Sequence, residues 1–500
     1  MRPRGIPYVG ALLLVLSACQ GVRAGYQLAP GETYSPAAAG ASAGDGGTEW
    51  AANWPMYQFN LAHTSRNGEA VAISPENAAD LTVAWQWRPE PPTEEGQPPP
   101  QLLGGPSVVD GRMYIGANTG EFYALNAATG TVLWQRSLGY VTGETCGERG
   151  ITSTPAVTND ANGDPVVYVG GGDGNLYALR ADDGSIVWKA PVVDPGDEQN
   201  EGYIWSSPSV ANGHVYIGVA SQCGNPQIRG GEKVFEQETG QLEGAYWVVP
   251  KGAVGGSVWS SPAVAQDGDV FISTGNADPT EKDPPGASYS VVRLDGESLA
   301  PRAIWTAQQL VGTDLDFGAS PSLFGTGGKG SMVGACNKDG VFYALRRSQL
   351  GAGPVWQATI SVEWSDGGNC LGGAVWDPES SHVYVAGGMA NLEGKEYPGS
   401  IRALNATTGK PLWQHGLEAA VWGSSSLNGA GVLAVPAFGG EDSAQNGVYL
   451  FDAETGDAVT RLDTGGSPVF AQAIFSDRYL FVATQSQGLL AYAAPTAAAE

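Results

Sequence analysis

The sequence predicts an all-β chain folded as a single eight-bladed β-propeller and closed by an N-terminal strand. Three observations carry that prediction. A unit of about fifty residues recurs along the chain, the signature of a repeat architecture. The 500 residues include 73 Gly, 33 Pro and 15 Trp but are only 15% charged, as many tight turns between half-buried strands require. The last unit lacks a fourth strand, and a strand-like segment stands ahead of the first unit.

Each unit opens with a short strand near Ser-Pro and an apolar pair. Gly105-Pro106-Ser107-Val108, Ser153-Thr154-Pro155-Ala156-Val157 and Ser206-Ser207-Pro208-Ser209-Val210 are the first three openings. Ser260-Ser261-Pro262-Ala263-Val264 and Ala319-Ser320-Pro321-Ser322-Leu323 continue the series. A second strand comes next, as in Met113-Tyr114-Ile115-Gly116, and a third such as Phe122-Tyr123-Ala124-Leu125. A turn with Gly then leads, four residues on, to a Trp: Gly130 to Trp134, Gly184 to Trp188, Gly409 to Trp413. Looser versions end at Trp247, Trp305 and Trp356, and the seventh unit keeps Thr455-Gly456 without the Trp. Openings near 105, 154, 207, 261, 320, 373, 424 and 471 give eight blades. Four hairpin-linked strands cannot bury both faces alone, so such units stack into a ring. The eighth ends at Leu489-Leu490-Ala491-Tyr492; Leu81-Thr82-Val83-Ala84-Trp85 supplies the missing strand and removes two open edges.

The formal charge is −26, which repels phosphate backbones and argues against nucleic acid as a partner. Arg2 and Arg4, the apolar run Ala11 to Leu16, and Leu16-Ser17-Ala18-Cys19 read as an export signal. The tetrad resembles a bacterial lipobox, whose cysteine thiol takes the diacylglycerol. The expected organisation is a signal peptide over 1–18, a Gly/Ala/Ser-rich flexible tether over 19–48 and the propeller over 49–496. Cys19 would then anchor a monomer to a membrane in the cell envelope, at the periplasmic face or the cell surface. Cys146, Cys223, Cys336 and Cys370 remain, an even number that suggests two disulfides with three connectivities. Strand openings and the loops after second strands share one face of a propeller. Cys146 opens blade two and Cys223 comes after the second strand of blade three; Cys336 ends the second strand of blade five and Cys370 opens blade six. The expected pairs are Cys146–Cys223 and Cys336–Cys370.

The Ala-Leu-x-Ala-x-Thr-Gly-x-x-x-Trp pattern at Ala124 to Trp134 and Ala403 to Trp413 resembles the docking repeat of pyrroloquinoline quinone (PQQ) propellers. Asn53-Trp54-Pro55-Met56-Tyr57 through Thr64-Ser65-Arg66 is similar to the lead-in segment of quinoprotein dehydrogenases, especially polyvinyl-alcohol-dehydrogenase-like ones. The resemblance implies oxidation of an alcohol, secondary or polymeric, small-molecule or macromolecular. It implies PQQ on the propeller axis, Ca²⁺ beside it and electrons passed to an external cytochrome, because no CxxCH run is present. Carried over residue by residue, Trp259 would floor the quinone, Lys338 would stand near its oxygens, and Arg149 and Thr152 would bind its carboxylates. Asn369 would supply a further amide, and the amide oxygen of Asn276 would ligate the metal. The chain departs from the family too. Cys146 has no adjacent cysteine, and the blade-three glutamate ligand has no counterpart in Ser221-Gln222-Cys223-Gly224-Asn225. No residue is assigned as the base; Asp283, Asp314 and Asp316 lie nearby but outside the family's motif. The resemblance extends to non-catalytic propeller lipoproteins of outer-membrane assembly, so a binding scaffold is the competing expectation.

Overall fold

The computed structural model describes residues 25–27, 50–91, 99–143, 147–193, 201–223, 227–278, 280, 286–307, 314–325, 330–362 and 369–495. Eight antiparallel sheets form the blades of a propeller, the first seven running from the axis outward in chain order. Blade one is Ser107–Val109, Arg112–Gly116, Glu121–Asn126 and Val132–Ser137. The innermost strands of the next seven are Ala156–Asn159, Ser209–Ala211, Ala263–Val264, Ser322–Phe324, Val375–Asp377, Ser426–Asn428 and Ile474–Ser476. Closure is as expected. Thr82–Trp87 pairs antiparallel with Leu489–Ala493, Thr82 opposite Ala493 and Trp87 opposite Leu489.

Neighbouring blades bury their faces against each other. Tyr114, Phe122 and Ala124 of blade one share a core with Val167, Val169 and Tyr177 of blade two. The Thr-Gly…Trp pattern has a direct cause. The Trp on the outer strand of one blade lies on the turn glycine of the next, and its Nε1–H donates to a carbonyl of that turn. Trp134 donates to Ala181 O at 3.1 Å, Trp188 to Gln237 O at 2.9 Å, Trp356 to Ala406 O at 2.9 Å and Trp413 to Ala453 O at 3.1 Å. A Cβ on Gly184, whose φ is +71°, would stand 2.6 Å from the Trp134 ring, so only glycine fits. Trp85 of the closing strand docks likewise, donating to Ala127 O at 3.2 Å above Gly130. The tryptophan missing from unit seven now has a reason. In blade eight the third and fourth strands come from opposite ends of the propeller, so no turn glycine exists for it to meet. In blade four the left-handed turn position is held by Leu299, φ +53°, and Trp247 packs under the Arg229 guanidinium instead, 4.7 Å away.

The lead-in segment threads the axis. Carbonyls of Ala52, Trp54, Pro55, Leu61, Ala62, Thr64 and Ser65 accept from Asp477, Val108, Val157, Val264, Leu323, Trp376 and Leu427. Among the described residues it thereby bonds at or beside the innermost strand of every blade except the third. His63, fully buried, uses Nδ1 on Pro321 O at 2.9 Å, and burial lowers its pKa to about 4.

Cys336 and Cys370 form the expected disulfide, with Cα atoms 5.3 Å apart. Cys223 is disulfide-bonded as well; Cys146, its expected partner, lies outside the described residues, as do Cys19, the signal segment and Asp283. Three residues of the expected tether, Gly25–Gln27, form a short strand antiparallel to Tyr140–Thr142.

Candidate active site on the propeller axis

The Ser-Pro openings place a belt of hydroxyls around the axis. Gly105 N–H donates to Thr154 Oγ1 at 3.0 Å, Thr154 N–H to Ser207 Oγ at 3.0 Å, Ser207 N–H to Ser261 Oγ at 2.9 Å and Ser261 N–H to Ser320 Oγ at 2.8 Å. Each bond runs from one blade to the next, which is why a small hydroxyl recurs at that position. Inside the belt lies a cavity of about 290 Å³, to which all eight blades contribute. Tyr57 of the lead-in segment lines it, and Trp205, Trp259, Trp422, Leu371 and Phe470 supply apolar walls.

Three of the residues singled out in the sequence line this cavity together: Thr152 from blade two, Trp259 from blade four and Lys338 from blade five. The Lys338 ammonium lies 5.1 Å from the Trp259 ring centre. It also pairs with two carboxylates, Asp314 Oδ1 at 2.7 Å and Asp316 Oδ1 at 2.8 Å. Asp316 Oδ2 accepts from Trp259 Nε1–H at 2.9 Å, which fixes the indole. Burial disfavours the ammonium, yet Asp316 and Asp314 hold the Lys338 pKa above the ordinary lysine value. Burial likewise works against Asp314, but Lys338 and the Asn276 amide keep it ionised below the usual carboxylate range. Burial wins at the fully enclosed Asp316, whose pKa is raised despite Lys338.

Of the other expected residues, Arg149 and Asn276 stand just behind the wall. The Arg149 guanidinium lies 5.0 Å from the ring centre of Trp205, which lines the cavity. Among the described residues it has no acidic partner, its Nε is buried without a hydrogen bond, and burial lowers its pKa. Asn276 Nδ2–H donates to Asp314 Oδ1 at 2.7 Å, leaving its Oδ1 buried and unpartnered. Asn369 is fully buried with neither side-chain polar atom bonded. Four blades, the second, fourth, fifth and sixth, supply these candidates.

Asp314 and Asp316 stay unassigned from sequence because they lie outside the family's motif, and two strands separate them from Lys338, so only the fold joins them. Trp422 went unnoticed. It opens blade seven as Trp205 and Trp259 open theirs, which is the signal that could have found it; it stacks on Phe438 at 4.1 Å.

A family model described as glucose/ethanol/alcohol dehydrogenase, beta-propeller domain, matches residues 54–359. One described as outer membrane protein assembly factor BamB matches residues 397–499. The chain is 25% identical over 406 residues to an alcohol dehydrogenase (quinone) dehydrogenase subunit of Gluconacetobacter polyoxogenes, covering 71% of this chain and 51% of that one. It is 25% identical to quinohemoprotein alcohol dehydrogenase of Comamonas testosteroni, covering 72% and 54%, and 24% identical to polyvinylalcohol dehydrogenase of a Sphingopyxis species, covering 75% and 62%. The chain therefore spans about half the length of the first of these relatives. In solved structures the fold is shared with a europium-containing methanol dehydrogenase, at TM-score 0.68 and 17% identity over 87% of this chain and 90% of that one. It is shared more loosely with BamB from Moraxella catarrhalis, at TM-score 0.54 and 15% identity over 83% and 99%.

Proposed function

Since the chain belongs to the PQQ-type quinoprotein dehydrogenase β-propeller family, we propose that its axial cavity holds PQQ and that it oxidises an alcohol. The observation that carries this reading is the convergence of Trp259, Lys338 and Thr152 on one cavity, with Arg149 behind it. A planar tricarboxylate needs flat faces and unpaired cations. Trp205 and Trp259 offer the first, and Arg149, buried without an acidic partner among the described residues, offers the second. The orphaned amide of Asn369 adds donor and acceptor capacity. These residues fit the quinone, which when bound supplies a two-electron acceptor.

The chain's own residues would then orient the substrate and handle its proton. Asp314 lines the cavity and is ionised, so its carboxylate would take the hydroxyl proton of the alcohol. Asp316 fixes Trp259 through its indole N–H, and the apolar side of the cavity excludes water from the reacting carbon. Electrons would leave to an external cytochrome, and Cys19 would tether the protein to a cell-envelope membrane. The calcium expectation fares differently. The two carboxylates near Asn276 are bridged by Lys338, and among the described residues no third carboxylate joins them. That donor set does not fit a divalent ion, and no step is assigned to one.

The decisive experiment is titration of the purified protein with PQQ, monitored by tryptophan fluorescence, then dye-linked assay with primary, secondary and polymeric alcohols. Saturable binding and alcohol-dependent dye reduction are expected. A protein that binds no PQQ, with or without added Ca²⁺, overturns the dehydrogenase reading. The match of residues 397–499 to BamB favours a non-catalytic envelope scaffold in that event.

A further inference from the structure

We propose that the Lys338 ammonium is the resident cation of this site and takes up the carboxylates, Asp314 and Asp316, that a divalent ion beside Asn276 would need. The cofactor then binds without metal. The inference rests on the reading that the cavity takes PQQ, and it concerns what neutralises the site.

Oxygen supply makes the first case. Of the four carboxylate oxygens of Asp314 and Asp316, three are engaged. Asp314 Oδ1 accepts from Lys338 and Asn276, Asp316 Oδ1 pairs with Lys338, and Asp316 Oδ2 accepts from Trp259. Only Asp314 Oδ2 and the orphaned Asn276 Oδ1 remain within the cluster. A Ca²⁺ ion takes six to eight oxygens, roughly, and gains its affinity from several carboxylates. Recruiting Asp316 Oδ2 would mean breaking its bond to Trp259, the residue that shapes the cavity, and recruiting Oδ1 would mean displacing Lys338.

Charge makes the second case. A divalent ion placed between Asp314 and Asp316 would sit against a lysine whose side chain is only 12% exposed and whose charge those same carboxylates reinforce. Like charges this close in a buried site repel strongly, so one cation excludes the other. The ammonium is further held by the face of the Trp259 indole, 5.1 Å away. Its positive charge is thereby fixed beside an aromatic wall of the cavity.

Two measurements test this. In the first, the chelator-treated protein is titrated with terbium alone, and Trp-sensitised terbium emission is read. Wild type should stay dark. Lys338→Met, which keeps the length and removes the charge, should light up, and Asp316→Asn added to it should restore darkness. Wild-type emission that Asp316→Asn abolishes would overturn the proposal whether or not PQQ binds and whether or not the lysine variant folds. In the second, PQQ affinity is compared in excess EGTA and in excess Ca²⁺. The two dissociation constants should agree within about twofold, and a gain of about tenfold or more with Ca²⁺ would overturn the proposal. No PQQ binding in either buffer would sink the functional reading instead, leaving the terbium result to decide what occupies the carboxylate pair.

Discussion

Glu232 sits on the third strand of blade three, opposite Gly218 on one side and Tyr246 on the other. Its neighbour on the same face, Val234, belongs to the core between blades three and four. The residue is fully buried, neither carboxyl oxygen has a hydrogen-bond partner, and burial raises its pKa well above the ordinary 4.5. The folded protein therefore holds a proton that the unfolded chain releases as pH rises past that ordinary value. Stability from this group is fully present below about pH 4.5 and is lost as pH climbs toward the folded-state pKa, by about 1.4 kcal/mol per pH unit for one proton. Glu232→Gln has nearly the same shape and no proton to lose. At pH 4 the variant should match wild type within about 1 kcal/mol, since a neutral acid and an amide bury at similar cost. At pH 8 it should be more stable by about 2 kcal/mol or more, the accumulated slope over the window. Urea unfolding at the two pH values, with midpoint and slope compared, measures the difference. A gap between variant and wild type that does not widen with pH, or a variant less stable at pH 8, would refute this account of Glu232.

Four further expectations concern the frame and the site. Trp134→Ala should cost about 3–5 kcal/mol, the range for emptying a buried aromatic site; Ala181 O loses one of three donors and keeps Tyr114 and Arg112, and denaturant midpoints read the loss. Gly184→Val should approach that loss, because its side chain would enter the space of the Trp134 ring. Replacing Cys336 and Cys370 together by Ser releases a cross-link of 34 residues and should lower stability by roughly 3–4 kcal/mol, with the cavity wall at Leu371 loosened in hydrogen exchange. Arg149→Gln should weaken PQQ binding by about 1.5–3 kcal/mol, the strength of a charge-assisted hydrogen bond, without moving the melting temperature; calorimetry of both quantities checks it.

The blades were legible because each repeats a demand that one residue type meets. A left-handed turn needs Gly, the ring lying on it needs to be flat and wide, and the Ser-Pro opening needs a small hydroxyl for the next blade's N–H. The closing strand was legible because Trp85 carries the same docking chemistry as Trp134. The site was legible only in part. Trp259 and Lys338 stand in patterns that survive in one dimension, whereas the pairing of Lys338 with Asp314 and Asp316 exists only after the strands of blade five fold back on themselves. Arg149 and Lys338 looked equivalent in sequence, two cations for one anionic ligand; in space one has no acidic partner among the described residues and the other already has two. Glu232 was invisible because Gly231-Glu232-Lys233-Val234 reads as a polar strand end, and nothing local reveals that a second blade covers it.

The lead-in segment ties the two ends of the chain into one event. Asn67 Nδ2–H donates to Phe475 O, 408 residues away in sequence, and Trp85 cannot take its place in blade eight until Leu489–Ala493 exists. A chain emerging from its N-terminus must therefore wait for its last blade to complete the bonds of this segment. Its carbonyls find their seven donors only when the ring is whole. Assembly cannot be secured blade by blade: the propeller stays an open stack with two raw edges until its last strand arrives, then locks at once. A stop codon at Leu489 would leave nearly all of the sequence in place and none of the closure.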